Sequence, residues 1–150
     1  MINNHNAFLV MKSKLLLFIF LITAFISCTK RYITPESNSL AVPKELIGSW
    51  QWNYTIAGIF STYYTPQSTG LNIRIQFDAD HNYKYYENGT EFVNTKFILE
   101  NRISLKTGDS ALILSNIPSS PDIIIFKGID SLVLIVDDRS NYENHYSRLK

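Results

Sequence analysis

Cysteine is nearly missing from this chain. Cys28 is the only one among 150 residues, so no internal disulfide can cross-link the fold. Histidine is almost as scarce. His81 and His145 are the only two beyond His5, and neither has a Cys, Asp or His at the spacing of a zinc site. Charge of one sign is lacking too. Fourteen Lys and Arg face thirteen Asp and Glu, a net charge of +1, without the basic excess that nucleic acid favours. No G-x-S-x-G elbow and no glycine-rich phosphate loop occurs. Asp78, Asp80 and Asn82 copy the opening of a calcium loop. Tyr83 and Gly89 then stand where that loop needs its Gly and its bidentate Glu, so the acids read as a hairpin turn. No catalytic site, metal or cofactor is expected from these residues.

The apolar run that is present is short. Leu15 to Ile26 is interrupted only by Thr23, follows Lys12 and Lys14, and ends at small Ser27 before Cys28. A charged start, roughly 7–15 apolar residues and a small residue at the cut make a secretory signal. A membrane-spanning helix wants about 20. Met1 to Val10 holds no Lys or Arg, so Met11 is an alternative start. Phe25-Ile26-Ser27-Cys28 resembles the lipobox of bacterial lipoproteins, with Phe25 in place of the usual Leu. The resemblance implies cleavage between Ser27 and Cys28, with lipid on the Cys28 thiol. It further implies a cell-envelope protein, expected at the outer membrane on its periplasmic side because Thr29-Lys30-Arg31 is not acidic. Two or three acyl chains would make the anchor stable where one is marginal.

Residues 1–27 thus read as the signal. Residues 28–42, which include Pro35, Ser37, Asn38 and Ser39 without periodicity, read as a flexible tether. Residues 43–150 read as one folded domain. Loss of the signal leaves twelve basic and thirteen acidic residues, a net charge of −1.

That domain reads as strands. Trp50, Trp52, Tyr54 and Ile56 alternate with polar residues, which places them on one dry face. Ile73, Ile75 and Phe77 repeat the pattern. Tyr83 to Glu87 follows, closed by Asn88-Gly89, a strong hairpin signal. Phe97, Leu99, Ile103 and Leu105 keep one register from Lys96 to Lys106, with a bend at Asn101. Ala111 to Leu114, Ile123 to Phe126, Leu132 to Val136 and Tyr142 to Leu149 complete the set. Ala57 to Gly70 reads as a long connection, and Pro43 to Gly48 as one helical turn. Eight or nine short strands in sequential hairpins predict an all-β antiparallel up-and-down meander closing into a small barrel. Most are shorter than the 9–11 residues, roughly, of a membrane-spanning barrel strand.

Gly48-Ser49-Trp50 at the start of the first strand is a G-x-W signature. Phe77-Asp78-Ala79-Asp80 with Tyr83, and Tyr146-Ser147-Arg148 near the end, complete a likeness running from Leu46 to Lys150. The segment resembles the lipocalin-like domain of small Gram-negative lipoproteins. That resemblance implies that Gly48, Trp50 and Arg148 close the barrel, the Arg148 guanidinium lying across the Trp50 ring. Trp52, Tyr54, Ile73, Ile75, Tyr85, Phe97 and Tyr146 are the expected pocket wall. The leading expectation is a non-catalytic, membrane-anchored binding module for a small apolar or amphipathic molecule. The alternative is an envelope lipoprotein with a filled interior, contacting a protein partner through Tyr63, Tyr64 and their loop.

Overall fold

The computed structural model describes residues 39–117 and 121–150. The signal segment, Ser27, Cys28, both candidate start methionines and the tether up to Asn38 lie outside the described residues. Those that are described belong to one unit, Pro35–Lys150.

Ten strands and one helical turn follow the turn at Pro43, which Leu46 N–H closes by donating to Pro43 O at 2.9 Å. The first five segments are β1 (Gly48–Ala57), β2 (Thr62–Tyr64), the turn α1 (Pro66–Thr69), β3 (Ile73–Phe77) and β4 (Asn82–Glu87). They continue as β5 (Thr90–Lys96), β6 (Ile98–Ile103), β7 (Ser110–Ser115), β8 (Asp122–Phe126), β9 (Ser131–Val136) and β10 (Glu143–Arg148). All pairings are antiparallel, in the order β5-β4-β3-β1-β10-β9-β8-β7-β6, with β2 also on β1. The architecture is therefore an all-β up-and-down meander whose first and last strands pair.

Two features differ from the expected eight or nine strands in a closed ring. The long Ala57–Gly70 connection contains β2, which pairs with Thr55 to Ala57, while β3 pairs with Gly48 to Gln51 on the same edge of β1. β2 and β3 thus form one interrupted partner of β1. Thr65 caps the interrupting turn, accepting from Ser68 N–H, and Gly70 ends it in the left-handed region at φ 71°.

The second difference is that the sheet is not closed into a barrel: β5 and β6 are its two ends and do not pair. Only Phe97 separates them, where the sequence read one strand from Lys96 to Lys106. An antiparallel hairpin needs at least two loop residues, so β6 cannot fold back beside β5. Phe97 instead turns inward, 2% exposed. Its ring meets Phe77 edge-on at 5.3 Å between centroids. The free edge of β6 is partly covered. Leu40 N–H donates to Leu99 O at 2.8 Å, and Leu99 N–H donates to Ser39 Oγ at 3.0 Å. Such cover protects an edge from pairing with other chains. Ser39 and Leu40, read as tether, therefore lie along the sheet.

Inward side chains from both halves of the meander meet in one core. Leu46, Trp50, Ile75, Leu99, Leu114 and Leu132 are at most 1% exposed.

Candidate functional site

One end of the interior is packed around Trp50. Its indole N–H donates to Leu46 O at 2.9 Å, so the buried ring leaves no polar atom unpaired. Across the β1–β10 ladder Trp50 pairs with Arg148, and the guanidinium carbon stands 4.2 Å from the ring centroid. Arg148 also donates to Ile47 O at 2.7 Å and, from Nη2, to Glu45 O. Gly48 makes room for this. Its φ is +135°, and a Cβ there would meet Arg148 Nη1 at 2.7 Å. Arg148 thus packs against both Gly48 and Trp50, joining the leading strand to the trailing one.

Beyond this plug lies a partly open cavity. A cavity of about 340 Å³ is walled by β1, β3, β4, β5, β8, β9, β10 and Ile117. Trp52, Tyr83, Tyr85 and Tyr146 supply aromatic surface, and Ile73, Val93 and Leu134 supply aliphatic surface. The polar part consists of Thr55, Glu87, Asp122 and Asn144, with Phe92 also in the lining. Trp52 Nε1–H donates to Thr55 Oγ1 at 2.9 Å, and Thr55 Oγ1 donates to Asn144 Oδ1 at 2.7 Å. Tyr85 OH donates to Glu87 Oε2 at 3.3 Å.

Burial sets the electrostatics. Asp122 is 1% exposed. Tyr83 and Tyr146 are pushed well above the ordinary phenol range, by burial first and then by neighbouring groups that include the Asp122 charge. Tyr85 is raised by burial and by Glu87. The phenols therefore stay protonated and present neutral hydroxyls at physiological pH.

Of the expected wall, Trp52, Ile73, Tyr85 and Tyr146 line the cavity. Ile75 and Phe97 are buried in the adjoining core instead. Tyr54 lies on the other face of the sheet. The β1–β10 register slips between Trp52 and Tyr54, and a bulge of one residue reverses the alternation. Thr55 takes the inward place, and Tyr54 stacks on His145 with ring centroids 4.2 Å apart. Sequence reasoning missed Asp122, Glu87, Asn144, Thr55 and Val93. Asp122 stands directly before the continuous apolar run Ile123 to Phe126, where no alternation marks which face it takes.

The D-x-D-x-N segment is a self-contained turn. Asp78 Oδ1 accepts from Asp80 N–H and from Asn82 N–H, both at 2.9 Å, and His81 takes φ 61°. Burial alone would raise the Asp78 carboxyl, but the Asn82 side-chain amide, donating to Oδ2 at 2.7 Å, together with these two backbone bonds and the Lys96 charge, holds it below its ordinary value. No protein-family model matches this chain, and no curated protein or solved structure is detectably similar to it.

Proposed function

We propose that this chain is a lipid-anchored, lipocalin-like binding module of the cell envelope, held to the membrane through Cys28, and that its cavity takes up a small apolar or amphipathic molecule. The cavity carries this reading. Its volume of about 340 Å³ sits at the small end of the range of ligand sites, roughly 300–1,000 Å³. Its wall combines an apolar body with a few convergent polar groups, the usual make-up of such sites. The paired first and last strands and the Gly48–Trp50–Arg148 contact support the likeness to lipocalins. The open β5–β6 edge departs from a closed barrel. The lipobox-like run and the tether support an envelope location, expected on the periplasmic side of the outer membrane.

Native mass spectrometry of the mature chain tests the uptake. A co-purified molecule of a few hundred daltons, lost when Tyr146→Trp narrows the cavity, is the expected result. A chain that carries nothing, and takes up none of a panel of short amphiphiles, would refute it. Intact-mass analysis of the membrane-extracted protein tests the anchor: a diacylglyceryl-sized increment at Cys28 is expected, and a bare thiol would remove that half.

A specific observation favours the second reading, a protein-contacting lipoprotein. Ile59 and Phe60, at the tip of the β1–β2 hairpin, are 83% and 88% exposed, and Tyr63 and Tyr64 beside them are exposed as well. Exposed aromatics clustered in this way mark contact surfaces. Cross-linking in cells from position 60, with the cavity intact, separates the two.

A further inference from the structure

The charge of the cavity wall is one-sided. Asp122 and Glu87 both line it, and among its described residues there is no Lys, Arg or His. The same space is faced by Trp52, Tyr83, Tyr85 and Tyr146, whose ring faces carry partial negative charge. Carboxylates and aromatic faces act in the same sense: they repel an anionic head group and attract a cationic one. The effect is strongest at the buried end of the cavity, beside Asp122, where water screens less than at its mouth. Asn144 and Thr55 add acceptor oxygens to the same wall, though their side chains are already linked to each other and to Trp52.

We propose that the cavity selects organic cations: an ammonium group carried on a short apolar chain. The head group would lie towards Asp122 between the rings of Tyr83 and Tyr146, and the chain would lie against Ile73, Val93 and Leu134. An anionic amphiphile of the same length is excluded by charge rather than by size. This deepens the binding reading above and rests on it.

Three probes of equal length separate the outcomes: octylammonium, octanol and octanoate, each titrated into the mature chain and followed by tryptophan fluorescence and native mass spectrometry. Octylammonium is expected to bind at least about tenfold more tightly than octanoate, with octanol between them. Asp122→Asn should bring the three affinities together while leaving octanol uptake unchanged. Glu87→Gln, on half-buried β4, should narrow the preference in the same direction and serves as the test if Asp122→Asn does not fold. Octanoate binding as tightly as octylammonium overturns the charge selection while leaving the cavity a binding site. So does a preference that survives both substitutions. Binding of none of the three overturns the binding reading itself.

Discussion

His145 shows how one side chain can be used structurally and still leave a trace in solution. It is 9% exposed, stacked on Tyr54 at an interplanar angle of 16°, with Nε2 3.5 Å from Glu143 Oε2 in a loose approach. Burial lowers its pKa from the ordinary 6.5, and the Lys127 charge adds to this, while Glu143 opposes it. In the window between the lowered value and 6.5 the unfolded chain binds more protons than the folded one. Stability therefore rises with pH across that window and is lost as pH falls below 6.5. Urea unfolding at pH 5 and at pH 7 should show the lower stability at pH 5. His145→Gln should flatten that slope while lowering stability at both pH values, because the stack is lost. The carboxylates with lowered values, such as Asp78 and Asp137, contribute only further down, below their ordinary 3.8. An unchanged slope in the variant would show that another group governs the window.

Elements are joined by side chains as well as by ladders, and Asp137 is the clearest case. It follows β9 and is 2% exposed. Its Oδ1 accepts from Ser104 Oγ at 2.6 Å and from Lys106 N–H at 3.2 Å. Its Oδ2 forms an ion pair with Arg102 Nη2 at 2.8 Å, out of line for a hydrogen bond. Burial alone would raise this carboxyl, but the Ser104 and Lys106 bonds and the Arg102 charge together hold it below its ordinary value. The turn after β6 is thereby tied to the turn after β9. Asp137→Ala is expected to cost about 1–3 kcal/mol, since it leaves the buried Ser104 hydroxyl without its acceptor, while Arg102 keeps its pairing with Glu100. Amide exchange at Lys106 and Thr107 should accelerate at the same time; a variant with normal exchange there would show that the turn stands without the carboxylate. This bond was not legible in the sequence, where Asp137-Asp138 looks like a solvated turn. Alternation is local, and it exposed β1 and β3, while turn chemistry exposed the Asn88-Gly89 hairpin. It carries no information about partners 33 residues apart. It also fails where a single residue breaks phase, as at the Trp52–Tyr54 bulge and at Phe97, since neither position has a distinctive residue type.

At the scale of the molecule, the same curvature that packs Trp50 at one end leaves space at the other. The side chains facing that space do not fill it, and an unfilled interior forgoes the dispersion contacts that close packing would supply. If the cavity serves the proposed uptake, filling it should cost binding rather than stability. Leu134 tests this directly. It is 3% exposed, lines the cavity and sits on β9 between Asn144 and Ile124. Leu134→Phe adds a ring edge directed at existing space, so the expected result is a gain of about 0.5–1 kcal/mol. For a domain of this size that corresponds to a rise of several degrees in Tm, about 4–8 °C per kcal/mol. The same substitution should abolish uptake of the short amphiphiles, coupling higher stability to lost binding. Calorimetry and titration of one preparation check both. A loss of about 1–3 kcal/mol, the usual cost of overpacking, with uptake intact would mean that Leu134 borders packed core and that the ligand space lies elsewhere.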